Sequence, residues 1–152
     1  MADTTTADDR TTAFEFPQHT LRGAFNAAFF RVMDPYIEHN LRRHKQRVFA
    51  DLPAEVVEIG PGVGANLRYL TAGSRLVAVE PNRSMHGPLR DAAKRYGVGL
   101  DLRERMAEET GLPDSSANSV ISSLVLCSVQ DPAVVLAEIR RILRPGGTFR
   151  FL

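Results

Sequence analysis

The chain has 152 residues, of which 43% are hydrophobic, 24% charged and 7% aromatic, an ordinary composition for one globular domain with its own core. Lys and Arg number 19 against 18 Asp and Glu, and this net charge of +1 excludes a global electrostatic footprint for nucleic acid. The single cysteine, Cys127, excludes an intramolecular disulfide, and no run approaches the roughly 18 apolar residues that cross a bilayer.

The start is acidic and polar where a secretory signal would be basic and then apolar, so a cytoplasmic protein is expected. Residues 1–12 have almost nothing to bury and read as a disordered tail. Residues 13–52 hold most of the phenylalanines together with Arg42, Arg43, Lys45 and Arg47, and read as a helical cap of two helices. The first covers 22–33. The second opens at Asp34-Pro35, an N-cap followed by a proline whose missing N–H costs nothing in a first turn. Tyr36, Ile37, Leu41 and Val48 recur at helical spacing, which puts the cations on the other face.

From residue 53 to 152 short apolar runs alternate with helical stretches, the pattern of a parallel sheet with crossover helices. Strands are expected at 56–59, 76–79, 100–103, 120–124 and 148–152, and helices at 65–70, 84–96 and 132–143. The last helix is the clearest. Asp131-Pro132 caps it, Val135, Ile139, Ile142 and Leu143 form one stripe, and Pro145-Gly146-Gly147 ends it.

Between the first strand and the next helical stretch lies Glu58-Ile59-Gly60-Pro61-Gly62-Val63-Gly64-Ala65-Asn66. Glycines there permit positive φ and let a ligand lie against the backbone. Gly60-x-Gly62-x-x-Ala65, with Glu80 about 20 residues on, also satisfies the loose dinucleotide fingerprint, so an NAD-dependent oxidoreductase stays open. Glu58 argues for a different ligand. A carboxylate just ahead of the loop repels a pyrophosphate and suits a cation, unless it serves only a local cap or salt bridge. S-adenosylmethionine carries a sulfonium and an ammonium and no phosphate, and Glu80 can accept from both ribose hydroxyls.

Four blocks in order, Glu58 to Gly64, Val79-Glu80-Pro81-Asn82, Gly111-Leu112-Pro113-Asp114-Ser115 and Leu143-Arg144-Pro145-Gly146-Gly147, resemble a class I S-adenosylmethionine-dependent methyltransferase of the type-11 kind. The run Leu124-Val125-Leu126-Cys127-Ser128-Val129, with Gly64-Ala65-Asn66, resembles the branch that methylates small alkyl thiols and associates with membranes or lipid droplets. The resemblance implies a Rossmann-like, doubly wound α/β sheet of order 3-2-1-4-5 behind N-terminal helices. It implies S-adenosyl-L-methionine as cofactor, S-adenosyl-L-homocysteine as product and a small thiol or lipid-like methyl acceptor. Glu58, Gly60, Pro61, Gly62, Gly64 and Asn66 would surround the methionine end, and Glu80 would hold the ribose. Pro81, Asn82, Met85, Met106, Ala107 and Glu108 would line the adenine, with the Ala107 N–H facing the ring and Leu124 closing the floor.

The chain departs from the family at Ala117-Asn118, where Phe-Asp is common, and at Met106, where Asp is common. Family members also continue into an antiparallel hairpin after the fifth strand. Ending at Phe151-Leu152 implies a C-terminally incomplete sheet and, as alternatives, a non-catalytic cofactor-binding fragment or a homodimer paired through the exposed fifth-strand edge.

Methyl transfer from a sulfonium needs alignment more than acid or base, so no catalytic residue is named. His39 and His44 read as surface residues of the basic helix, while His19 and His86 lack a partner pattern. Cys127 reads as a buried small hydrophobe, and no cluster has metal-ligand spacing. Tyr36 is the aromatic named for an acceptor wall. The same basic helix allows peripheral membrane contact.

Overall fold

The computed structural model describes residues 20–152, with side chains in the first helix described at Met33 and from Pro35 onward. The expected tail at 1–12, His19, and the phenylalanines at 14, 16, 25, 29 and 30 lie outside these described residues or side chains. In chain order the elements are α1 (Thr20–Val48), β1 (Glu55–Ile59), a 3₁₀ turn (Leu67–Tyr69), β2 (Arg75–Val79), α2 (Arg83–Tyr96), β3 (Gly99–Arg103), β4 (Ala117–Ser122), α3 (Pro132–Ile142) and β5 (Leu143–Phe151). The five strands form one sheet of order β3-β2-β1-β4-β5, and every pairing is parallel. This is the doubly wound arrangement that the alternating pattern predicts, with its switch point between β1 and β4.

Because both faces of a parallel sheet are covered, alternate residues of each strand enter different cores. Val56, Leu76, Ala78 and Ile121 pack with Phe49 of the segment after α1 and with Leu89 and Ala93 of α2. Val57, Ile59, Val77, Val79 and Val120 pack on the other face against Val135, Ile139 and Ile142 of α3. Asp131 caps α3, its Oδ1 accepting the Ala133 N–H at 2.8 Å and the Val134 N–H at 3.4 Å. Asp131→Ala is expected to lower stability by about 1 kcal/mol, read as a shifted urea midpoint at constant slope.

Four expectations need correction. Residues 20–48 form a single helix that runs through Asp34 and Pro35 rather than two helices. Proline deletes one N–H and crowds the preceding turn, at about 3 kcal/mol, but it does not compel a break. Here Ile37, Leu41, Lys45, Val48 and Phe49 continue one half-buried to buried stripe past it. That stripe carries the second correction, since Lys45 is buried at 2% exposure while Tyr36 is 65% exposed. The helix at 65–70 shrinks to a 3₁₀ turn, closed by Tyr69 N–H to the Asn66 carbonyl at 2.9 Å and Leu70 N–H to the Leu67 carbonyl at 3.0 Å. A segment so short gains too few bonds to propagate as an α-helix. Finally β4 ends at Ser122, and the residues after it turn away from the sheet, which leaves Cys127 exposed instead of buried.

β5 begins earlier than its apolar run suggests. Leu143 pairs with Ala117, residues 144–147 bulge out, and pairing resumes at Ser119 with Thr148. Polar contacts also tie α1 to the sheet domain. The Tyr69 hydroxyl donates to Glu38 Oε1 at 2.6 Å, and Arg150 on β5 donates to the carbonyls of Val48 and Ala50 at the end of α1. Burial and the Glu38 carboxylate raise the Tyr69 pKa, so this hydroxyl stays a donor throughout the physiological range.

Candidate functional site

The cleft opens where β1 and β4 diverge at the carboxyl ends of the strands, and α1 crosses above it. Its cavity volume of about 230 Å³ lies at or below the lower end of small-molecule sites, so it suits one small ligand rather than a macromolecular segment. One wall is the glycine loop. The Gly60 N–H donates to the Val79 carbonyl at 2.9 Å, and the Gly64 N–H closes a turn on the Pro61 carbonyl at 2.9 Å. Gly60 adopts φ +65°, and a Cβ there would come within 2.5 Å of Val125 Cγ2, so both backbone and packing require glycine. Gly62 faces open space.

Glu80 follows β2 and shapes this loop from behind. Its Oε2 accepts the Gly62 N–H at 3.0 Å and its Oε1 the Asn82 N–H at 2.9 Å. Burial raises the Glu80 pKa, while the two N–H groups and His86 oppose the rise. His86 does have a partner, contrary to its sequence reading: Nε2 donates to the Glu80 carbonyl at 2.8 Å. Asn82 serves as the N-cap of α2, accepting the Ser84 N–H at 3.0 Å.

Glu58 is the central charge. It sits on β1, the middle strand, between Ala78 and Ile121 in register, and all three have no exposed surface. Burial there pushes its pKa up to about 7, against the Asn66 hydrogen bond and the Lys45 charge, which lower it, and with help from Glu80. Asn66 Nδ2 donates to Glu58 Oε1 at 2.7 Å. Glu58 Oε2 and Asn66 Oδ1 have no hydrogen-bond partner among the described residues. Two buried acceptors side by side without donors call for a cationic or multiply protonated ligand group.

The far end of the cleft is less polar. Pro81, Met85, Met106 and Ala107 line it together with Glu108, whose Oε1 accepts the Gln130 N–H at 3.1 Å. Glu108 Oε2 is buried and also lacks a partner. Leu124 lies at the rim, 46% exposed with φ +58°, and its N–H donates to the Leu152 carbonyl at 2.9 Å.

Of the residues expected at the site, Gly60, Pro61, Gly62, Asn66, Glu80 and Pro81 line the cleft. So do Met85, Met106, Ala107, Glu108 and Leu124, whereas Glu58, Gly64 and Asn82 stand one layer behind. The sequence reading missed Ile37 and Lys45 on α1, and Ser123, Val125, Ser128 and Val129 after β4. The spacing of Ile37, Leu41 and Lys45 at intervals of four could have identified the first pair. Tyr36, named for an acceptor wall, points to solvent, and His39 and His44 are exposed as expected. Among the described residues there is no group of side chains that could hold a metal ion, and no helix long and apolar enough to cross a membrane.

The raised Glu58 pKa has a sign that can be tested. The folded state holds this proton more tightly than the unfolded chain, so its contribution favours folding at low pH and is lost as pH rises from about 4.5 through about 7. Glu58→Gln is therefore expected to gain stability over wild type on going from pH 5 to pH 8, on the order of 2–3 kcal/mol. Paired urea melts of the two proteins check it, and parallel curves at both pH values would refute it.

Comparison with known proteins agrees with this geometry. The methyltransferase-domain family matches residues 57–151. Human thiol S-methyltransferase TMT1B is 32% identical over 138 residues, covering 79% of this chain and 54% of the relative. Human thiol S-methyltransferase TMT1A is 34% identical over 103 residues, covering 64% of this chain and 41% of the relative. The chain thus spans about half the length of the curated relatives it matches. Among solved structures, a chain of the complex between the Haloferax volcanii Trm112 methyltransferase activator and its methyltransferase superposes with a TM-score of 0.69 at 26% identity, covering 89% of this chain and 60% of that one. An S-adenosyl-L-methionine-dependent methyltransferase fold from Methanococcus maripaludis gives 0.67 at 18% identity, covering 96% and 67%. With a switch-point cleft, a glycine loop backed by two buried carboxylates, and a family match over most of the sheet domain, the chain belongs to the class I S-adenosylmethionine-dependent methyltransferase family.

Proposed function

We propose that this chain binds S-adenosyl-L-methionine in the cleft and transfers its methyl group to a small acceptor, with a thiol first in line. The observation that carries the reading is the set of buried acceptors without donors: Glu58 Oε2, Asn66 Oδ1 and Glu108 Oε2. An ammonium, a sulfonium and an amino-purine supply the positive and donor groups that these atoms lack. Asn66, oriented by Glu58 in the layer behind it, would hold the amino-acid end against Gly60 and Gly62, with Glu58 supplying negative charge from behind. Glu80, already fixed by two backbone N–H groups, keeps lone pairs for ribose hydroxyls. Pro81, Met85, Met106 and Ala107 would sandwich the adenine, and Leu124, expected at the floor, stands at the rim instead.

The cofactor supplies a methyl group already activated by a positively charged sulfur. What remains for the protein is alignment, which can lower a barrier by roughly 7–11 kcal/mol without a dedicated acid or base. The glycine loop fixes one reactant, and the apolar rim formed by Ile37, Leu124, Val125 and Val129 excludes water around the other. A free thiol, with a pKa near 8.5, supplies a few per cent of thiolate at neutral pH, so no base is required of the chain. The names of the human relatives, both thiol S-methyltransferases, support a sulfur acceptor. The exposed His39, Arg42, Arg43, His44 and Arg47 along α1 support peripheral contact of a cytoplasmic protein with anionic lipid.

The test is a pair of measurements. S-adenosylhomocysteine is expected to raise the thermal midpoint and NAD to leave it unchanged. Labelled methyl transfer is then expected with small alkyl thiols in a panel that also holds a phenol and an amine. Stabilisation by NAD alone would overturn the cofactor assignment, and binding without transfer to any acceptor would favour a non-catalytic binding protein.

A further inference from the structure

The segment between β3 and β4, residues 104–116, contains no helix or strand, yet it supplies Met106, Ala107 and Glu108 to the far end of the cleft. A connection of that length without a ladder of its own must find partners for its backbone groups elsewhere, and α3 provides them. Glu138 is buried on α3, and its Oε1 accepts both the Thr110 N–H at 2.8 Å and the Thr110 hydroxyl at 2.6 Å. Arg141, one turn on, grips the same carboxylate with two prongs, Nε to Oε2 at 2.6 Å and Nη2 to Oε1 at 2.8 Å. Its Nη2 also donates to the Leu112 carbonyl at 2.7 Å. Burial pushes the Glu138 pKa up, but the bonds from Arg141 and Thr110 outweigh it and hold the group below the ordinary carboxylate range.

Packing alone does not call for this network. Val135 and Ile139 of α3 already share an apolar cluster with Ala107, and a buried ion pair commonly adds no more stability than an apolar side chain of the same size. What Glu138 adds is direction, because it fixes the main chain two residues past Glu108. There the Oε1 of Glu108 is tied to the Gln130 N–H, while Oε2 is buried without a partner. Thr110, Glu138 and Arg141 all lie outside the cleft lining, so they reach a ligand only through the segment they hold.

We infer that Glu138 is a positioning residue for the purine wall of the cleft, holding the main chain at Thr110 so that Glu108 and Ala107 meet the edge of the base. The inference rests on the S-adenosylmethionine reading above and deepens it. An amino-purine offers a donor to the open Glu108 oxygen, whereas an oxo-purine sets an acceptor against an acceptor. Glu138 thereby controls the choice between two bases that it does not touch. A group that only stabilised the fold would leave that choice alone.

The experiment is calorimetric titration of the wild type, Glu138→Gln, Thr110→Val and Gly73→Ala with S-adenosylhomocysteine and S-inosylhomocysteine, which differ at the edge of the base. The wild type is expected to prefer the adenosyl ligand by at least about tenfold, the range for a hydrogen bond to a charged group. An amide at residue 138 turns its NH₂ toward Thr110 or Arg141 and releases one of them, so Glu138→Gln should shrink the preference to about threefold or less. Thr110→Val should shrink it in the same direction. Gly73→Ala strains a residue at φ +88° outside the cleft lining and should keep the wild-type ratio. An unchanged ratio in Glu138→Gln would overturn the inference, and Thr110→Val decides in its place where the glutamine variant does not fold. A ratio that collapses equally in Gly73→Ala would overturn it too, because general loosening would then suffice. A wild type that binds both ligands equally would overturn this inference and leave the cofactor reading intact, whereas one that binds neither would overturn both.

Discussion

Replacing Glu80 by Gln is expected to weaken S-adenosylhomocysteine binding by about 10- to 100-fold and to destabilise the protein by about 1–3 kcal/mol. The reason lies in donor arithmetic. Both carboxylate oxygens accept a backbone N–H, from Gly62 at 3.0 Å and from Asn82 at 2.9 Å. An amide has one oxygen, so in either orientation its NH₂ faces a donor and one of the two N–H groups is left buried without an acceptor. If the NH₂ turns toward Gly62, the glycine loop loses its anchor. If it turns toward Asn82, the start of α2 is disturbed instead. Either way the ribose hydroxyls lose an ionised acceptor. Calorimetry with S-adenosylhomocysteine, alongside a urea melt, measures both effects, and an affinity within twofold of wild type would contradict the role proposed for Glu80.

The second large effect is expected at Gly64. Its φ is +86°, and a Cβ added there would lie 2.5 Å from Leu67 Cδ1 and 2.9 Å from Ala92 Cβ. Gly64→Ala therefore combines backbone strain of about 1–2 kcal/mol with overpacking of about 1–3 kcal/mol. For a domain of this size the sum corresponds to a fall in the thermal midpoint of about 10 °C. Gly73 supplies the control, since it has φ +88° but no atom within 4 Å of its would-be Cβ. Gly73→Ala should show only the backbone part, and the difference between the two variants measures the clash. Equal melting temperatures would mean that the loop relaxes around the added methyl group.

Much of this architecture is legible in the amino-acid order because burial on both faces forces apolar runs, and Val56-Val57, Leu76 to Val79 and Val120-Ile121 announce the three central strands. Asp131-Pro132 and Asn82 mark helix starts through local hydrogen bonds, which need no knowledge of the rest of the fold. Glu58 is legible for the opposite reason, as a charge where an apolar residue would be cheaper. Lys45 is harder to read, because only its spacing of four from Leu41 and Ile37 sets it apart from Arg42, Arg43 and Arg47, which share its charge. Pro35 misleads because an N-cap signal and a tolerated interior proline share the same dipeptide. Cys127 misleads because the chain leaves the sheet two residues earlier than its hydrophobicity suggests. Such errors fall where tertiary contacts overrule local preference.

Arg150 reaches back across 100 residues of sequence to the carbonyl of Ala50, and so fastens the tail of α1 to the last strand of the sheet. The first helix thus emerges early in synthesis, yet its full anchorage awaits the final strand. Closing so long a loop delays the contact relative to the pairing of neighbouring elements. The Tyr69–Glu38 contact can seat the helical roof early, and the Arg150 contact then locks its far end, so the roof of the cleft is completed in two steps.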